Sequence, residues 1–123
     1  INISSSVAIE PTHLMSISAA MRAGVAALSK SASLTLAETG VTINTICPGG
    51  VATDRLVSLI RDQSVKTGKT VDELMEEAQN SIPMKRFADP EEVAAFVVYL
   101  CSKHGSYISG RVHAVDGGLV NGY

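Results

Sequence analysis

The chain has 123 residues, 46% of them hydrophobic and 18% charged, which suits one packed domain or part of one and is too apolar for a disordered segment. Ten Lys plus Arg against twelve Asp plus Glu leave a formal net charge of −2, so no basic excess marks a nucleic-acid footprint. Aromatic residues are only 4%, with no Trp, and no apolar run reaches the roughly 18–20 residues of a membrane helix, so neither base stacking nor a membrane is expected.

The chain opens on Ile1-Asn2-Ile3, a strand-like run without an initiating Met, as expected of a fragment or a processed chain. The run ends in Ser4-Ser5-Ser6, a strand delivering hydroxyls to its carboxyl edge. From Ser16 to Glu38 apolar residues recur every three or four positions at Ile17, Met21, Gly24, Val25, Leu28, Ala32 and Leu36, which predicts a long helix with that stripe buried. Ala19, Ala23, Ala26 and Ala27 form a second face small enough for another helix to approach, and Gly40 is placed to cap the helix. Val41 to Cys47 reads as a buried strand, ended by the Pro48-Gly49-Gly50 turn.

Two helices follow, over about Asp54–Asp62 and Val71–Asn80, the second opened by a Thr70/Glu73 capping box. In the last helix Asp89 is the N-cap, Pro90 takes the first position, and Glu91 and Glu92 favour the positive end of the dipole. Val93, Phe96, Val97 and Leu100 supply its core stripe, and Lys103-His104-Gly105 ends it. A strand over Arg111–Val115 finishes at Asp116-Gly117-Gly118. Strands alternating with helices predict parallel pairing with right-handed crossovers, an α/β doubly wound sheet of which three strands are a thin part.

Several motifs fail. Gly68-Lys69-Thr70 resembles the end of a phosphate-binding loop, but the required glycine five residues earlier is Gln63. Asn2-Ile3-Ser4 matches a glycosylation sequon inside what reads as a buried strand, and no G-x-S-x-G nucleophile elbow is present. His13, His104 and His113 lack the mutual spacing and acidic or thiol neighbours of a metal site, so none is expected. Cys47 and Cys101 read as small core residues rather than a disulfide framework, and the cytoplasm is the expected compartment. The literal Tyr99-x-x-x-Lys103 lies late in the last helix, far in sequence from the Ser5 strand, and reads as packing.

Together Ser4–Ser6, the long helix, Pro48-Gly49-Gly50-Val51-Ala52-Thr53, Asp89-Pro90-Glu91-Glu92-Val93, Tyr107-Ile108-Ser109-Gly110 and Val115-Asp116-Gly117-Gly118 carry a resemblance. In that order they resemble the C-terminal half of the short-chain dehydrogenase/reductase family. The resemblance implies a Rossmann-like sheet, NAD or NADP as cofactor, and a small-molecule carbonyl or alcohol substrate, as in a 3-oxoacyl reductase. It also implies a substrate lid over residues 54–83 and a homo-oligomer, dimer or tetramer, joined through the alanine face and Asp116–Tyr123. The family's Gly-rich pyrophosphate turn and an active-site Asn belong to a preceding half that these 123 residues do not include.

In the family a Ser polarises the carbonyl, a Tyr thirteen residues later is the general acid/base, and a Lys four further on lowers its pKa and holds the ribose. The matching positions here are Ser5, Ser18 and Arg22, with Arg22-Ala23-Gly24 aligning on the family's Lys-Ala-Gly without a gap. A tyrosine titrates near 10 and a serine hydroxyl higher still, so Ser18 is a poor general acid. Arg22 can bind ribose hydroxyls but cannot relay a proton. His13 and Ser16 are candidate replacement donors, and His13 and Met15 are expected beside the substrate. Pro48, Gly49, Val51 and Thr53, with Arg22, are the expected cofactor contacts. The reading is an oxidoreductase with an altered site; the alternatives are a catalytically silent subunit partnering an active homologue and a proteolytic remnant held in an oligomer.

Overall fold

A computed structural model describes residues 1–122. Three parallel strands, β1 (Asn2–Ile3), β2 (Asn44–Pro48) and β3 (Arg111–Val115), form a sheet in the order β1-β2-β3. Helix α1 (Ser16–Leu36) joins β1 to β2, while α2 (Asp54–Thr67), α3 (Val71–Ser81) and α4 (Pro90–Cys101) lie between β2 and β3. The α/β doubly wound reading therefore holds, with β2 as the central strand. Its Asn44, Thr45, Ile46 and Cys47 are fully buried.

A polar residue fixes the sheet's register. Buried Asn44 donates from Nδ2 to the Ile108 carbonyl (2.7 Å) and accepts from the Arg111 N–H (3.2 Å). It thereby locks the entry to β3 against the start of β2. The preceding Ile43 N–H goes to Ser109 Oγ (3.1 Å) and not to a ladder partner, so the strand starts at Asn44 and not at Val41 as its β-branched residues suggest.

Helix α1 reverses its expected orientation. Ala19, Ser29 and Ser33 are its buried residues, whereas Ile17 is 81% exposed, Met21 69% and Leu28 70%. The alanine face divides as well: Ala19 is buried and Ala26 half-buried, but Ala23 and Ala27 are exposed. The reason lies in the strand beneath. Asn2 Nδ2 donates to Ser29 Oγ (2.8 Å), which in turn donates to the Val25 carbonyl (2.7 Å). Small side chains let α1 lie close enough to the sheet for these bonds, and the bulky stripe is left pointing outward.

The remaining differences are local. Helix α2 runs on to Thr67, past the expected Asp62, because Gly68 adopts φ 75° and closes the helix through its N–H to the Ser64 carbonyl (2.9 Å). Both expected caps of the later helices are present: at α3 Thr70 Oγ1 accepts from the Glu73 N–H (3.2 Å) and the Glu73 carboxylate from the Thr70 N–H (2.8 Å), and the Glu92 carboxylate accepts from the Asp89 N–H (2.8 Å) at α4. Leu100 is buried, while Val93, Phe96 and Val97 are half-buried. Cys47 is buried as expected, but Cys101 is exposed on the last turn of α4, so it is not a core residue. No helix among the described residues is long and apolar enough to cross a membrane. Tyr123, the end of the expected Asp116–Tyr123 interface segment, lies outside the described residues.

Candidate active site

The carboxyl ends of parallel strands are where a doubly wound sheet presents ligand-binding loops. At the end of β1 Ser5 remains extended (φ −164°, ψ 157°) and caps a 3-10 turn over Ser6–Ala8, its Oγ accepting from the Val7 N–H at 3.5 Å. That long bond uses an oxygen lone pair and leaves the Ser5 hydroxyl proton free to donate elsewhere.

One turn into α1, Arg22 Nε donates to Ser18 Oγ (3.2 Å), so the residues at the two altered positions hold each other. The spacing of four makes them neighbours on one helix face. Arg22 is half-buried in a shallow cleft of about 180 Å³ with Ile3, Ser4, Met21 and Val25. Among the described residues no carboxylate forms an ion pair with it; the ion pairs are Lys69–Glu77 and Arg86–Glu92. The terminal nitrogens of the guanidinium remain available to a ligand.

Cys47 completes this cluster, and nothing in its sequence surroundings marks it out from an ordinary buried thiol. Burial pushes its thiol pKa up, and the Ser5 N–H, the Ser4 hydroxyl and the Arg22 charge each pull it down. The geometry gathers the group: Ser4, just past β1, donates its N–H to the Ile46 carbonyl of β2 (2.7 Å), next to Cys47, and shares a cleft with Arg22 of α1.

The turn after β2 is the second part of the site. Pro48 pairs with Val115, the Gly49 N–H donates to the Val115 carbonyl (3.0 Å), and a Cβ on Gly49 would lie 2.9 Å from Asp116 Cα. The glycine is thus required by contact with the β3 loop. Val51 forms a parallel bridge with Ala88 through Ala88 N–H to Gly50 O (3.0 Å) and Ala52 N–H to Ala88 O (2.9 Å). Neither bond uses the Val51 N–H, which makes no hydrogen bond among the described residues. Thr53 Oγ1 caps α2 by accepting from the Leu56 N–H (3.4 Å).

His13 and Met15 bracket a 3-10 turn ahead of α1, and both are exposed, Met15 by 45%. His13 makes no side-chain hydrogen bond among the described residues, to Ser5, Ser18 or Arg22 in particular. Tyr99 is stacked on Phe96 with ring centroids 6.4 Å apart, and Phe96 meets His113 edge-on at 5.2 Å, so the literal Tyr-x-x-x-Lys belongs to the packing of α4. Sequence reasoning also missed a long-range bridge, Asn121 on the Glu10 carboxylate, for which the sequence carries no signal.

These features define a class of protein: half of a dinucleotide-type sheet with hydroxyl, guanidinium and free amide groups gathered at its carboxyl edge. The family model described as enoyl-(acyl carrier protein) reductase matches residues 1–120. A short-chain dehydrogenase/reductase of Aspergillus oryzae, astE, is 38% identical over 97% of this chain and 43% of its own length. The NADPH-dependent reductase BacG of Bacillus subtilis is 35% identical over 96% of this chain and 46% of its own. The crystal structure of an actinorhodin polyketide ketoreductase with NADPH superposes with a TM-score of 0.92 at 30% identity, over 98% of this chain and 46% of that one. The chain belongs to the short-chain dehydrogenase/reductase family, and it spans about half the length of these relatives.

Proposed function

We propose that these residues form the C-terminal half of an NAD- or NADP-dependent oxidoreductase domain that interconverts a carbonyl and an alcohol. The supporting observation is the placement of these groups at the carboxyl ends of adjacent parallel strands: Ser5 follows β1, Val51 follows β2, and Arg22 shares a cleft with Ile3 and Ser4 at the end of β1. A nicotinamide cofactor, when bound, supplies or takes the hydride. Arg22 would hold its ribose hydroxyls, the Val51 N–H its carboxamide, and the Pro48-Gly49 turn and Thr53 would flank it.

In the reductive direction the Ser5 hydroxyl donates a hydrogen bond to the substrate carbonyl oxygen and so polarises the carbon. As the oxygen gains charge, the guanidinium of Arg22 stabilises it, and fixed donors of this kind contribute most where charge develops. Ser18 keeps Arg22 oriented. Neither a serine hydroxyl nor a guanidinium is a good proton donor near neutrality, so the proton that completes the alcohol comes from a buffer acid or hydronium reaching the oxygen from solvent. Residues 54–83, which contain α2 and α3, act as the lid, and His13 and Met15 line the approach for substrate.

The test is turnover of an aldehyde and ketone panel with NADH and NADPH by the protein made from its complete coding sequence. Ser5→Ala should lower kcat/KM by about 100-fold, the scale of losing one oxyanion donor. Cofactor binding with no turnover across the panel overturns the reading in favour of a silent subunit. The Arg22–Ser18 bond favours that second reading, because it occupies the two positions with each other.

We also propose a homo-oligomer, dimer or tetramer, working in the cytoplasm, where Cys47 and exposed Cys101 stay reduced. The outward stripe of Ile17, Met21 and Leu28 is the surface that a second copy would cover.

A further inference from the structure

Arg22 carries a positive charge with no anion to answer it. Residues 1–9, helix α1 and residues 39–53 contain no Asp or Glu, so neither β1, β2 nor the turns that follow them offer a carboxylate. The only other charged residue of α1 is Lys30, a second cation, and Glu10 is already engaged by Asn121. Among the described residues Arg22 joins no ion pair, and its one side-chain hydrogen bond runs from Nε to Ser18 Oγ (3.2 Å). That bond fixes the plane of the guanidinium and uses only Nε, so the two Nη groups remain as a fork of donors. Ser18 Oγ is the acceptor in it and donates to no acceptor among the described residues, so its own proton is open to a further partner. Arg22 lines a cleft of about 180 Å³ with Ile3, Ser4, Met21 and Val25. At roughly 30 Å³ for each water, that is room for about six waters or one small ion.

We infer that Arg22 and Ser18 form a binding site for a tetrahedral oxyanion, a phosphoryl group either free or at the end of a small molecule. Three observations carry it. The cation is half-buried against the apolar side chains of Ile3, Met21 and Val25, where an opposite charge is felt more strongly than in open water. The guanidinium fork takes two oxygens of one anion in parallel bonds, which a lysine at this position, a point charge, would not do. The Ser18 hydroxyl, four residues away on the same helix face, then has a third oxygen to reach. A carboxylate spends both of its oxygens on the fork, so it leaves the serine without a partner. The site stands on this geometry alone. Its consequence for the cofactor rests on the oxidoreductase reading: there Arg22 also meets the ribose hydroxyls, so the anion and the cofactor exclude each other.

The probe is inorganic phosphate, titrated by calorimetry into the protein made from its complete coding sequence, with ionic strength held constant by sodium chloride. Binding is expected to saturate below about 10 mM. The Arg22 Nε–H resonance, identified by its loss in Arg22→Lys, should shift along the same curve in NMR. Arg22→Gln should abolish the binding. Ser18→Ala and Arg22→Lys should each weaken it at least about tenfold, the scale of one hydrogen bond to a charged group, and acetate should bind the parent at least about tenfold more weakly than phosphate. Ethyl phosphate separates the two sources: binding as tight as inorganic phosphate or tighter assigns the site to a phosphate monoester, weaker binding assigns it to the free ion, and either supports the proposal. No saturable binding, saturation that survives Arg22→Gln, an unmoved Nε–H resonance, or acetate bound as tightly as phosphate overturns it. The apparent Kd for NADPH should rise in proportion to phosphate in the parent and not in Arg22→Gln. Phosphate binding without that competition would sink the ribose role of Arg22 and leave the anion site; NADPH binding with no phosphate site would sink the anion site and leave the reading.

Discussion

His113 is a histidine in a position built for a hydrocarbon, and replacing it should stabilise the protein. It projects from β3 toward α4, where its ring meets Phe96 edge-on at 5.2 Å and 82°. Its Nε2 is buried with no hydrogen-bond partner. Burial, and then the charge of Arg111, lower its pKa below the ordinary histidine value. His113→Leu, a swap of similar volume, removes the orphaned nitrogen, which costs about 1–3 kcal/mol to keep buried. It also forfeits an edge-to-face ring pair worth about 0.5–1.5 kcal/mol. The difference favours leucine by about 1 kcal/mol, or some 2–4 °C in Tm for a domain of 150–250 residues. The pH dependence is the sharper measure. With its folded pKa depressed, His113 binds its proton more readily in the unfolded chain, so its contribution is fully present above the unfolded value near 6.5 and is lost progressively as pH falls below that value and through the lower folded one. Thermal unfolding followed by circular dichroism at pH 8 and pH 5.5 should therefore show the leucine variant's advantage growing on acidification. A variant less stable than the parent at pH 8, or an advantage that does not change with pH, would refute the orphaned-imidazole reasoning.

Other consequences can be checked alongside. Asn44→Ala strips partners from the buried Ile108 carbonyl and Arg111 N–H and should cost about 2–4 kcal/mol in denaturant unfolding, with a loss under 1 kcal/mol arguing against its locking role. Thr70→Ala removes a capping-box partner of α3 and should cost about 1 kcal/mol, measured the same way. Leu28→Glu places a charge in the outward stripe and should weaken self-association by about 100-fold in sedimentation equilibrium; an unchanged oligomer would show that the stripe is not the interface. The double change Ser18→Tyr with Arg22→Lys restores a phenol and an ammonium four residues apart and should raise kcat for carbonyl reduction by about 10²-fold, the low end of general acid catalysis. A fall in kcat would mean that Arg22 is itself the better partner for Ser5.

Much of the architecture was legible because it is written in local chemistry. Asp89-Pro90 and Thr70 with Glu73 mark helix starts by backbone capping, and Pro48-Gly49-Gly50 ends a strand, whatever the rest of the chain does. Ser5, Ser18 and Arg22 were singled out only through the family resemblance, and the structure adds the Arg22–Ser18 bond. What the sequence hid is which side of α1 faces the sheet. Periodicity identifies a stripe but not its partner, and large apolar residues are assigned inward by default. Here the sheet beneath offers Asn2, which asks for Ser29, and only then does the small face become the inner one. Cys47 and the Glu10–Asn121 bridge depend on residues far apart in the chain, and no local pattern announces such pairs.

The inverted helix also explains how the site is assembled. Residues 18, 22, 26, 29 and 33 follow one another at spacings of four and three, so Ser18 and Arg22 stand in line with half-buried Ala26 and buried Ser29 and Ser33. Small residues along that line set the distance between α1 and the sheet, and the distance decides how closely Arg22 approaches Ser4 and Cys47 at the end of β1. A leucine at 29 would do two things at once: break the bond from Asn2 and push the helix outward, lifting Arg22 off the end of β1. Residues that never touch a substrate can thus govern this site, because the same helix carries both the seam and the guanidinium.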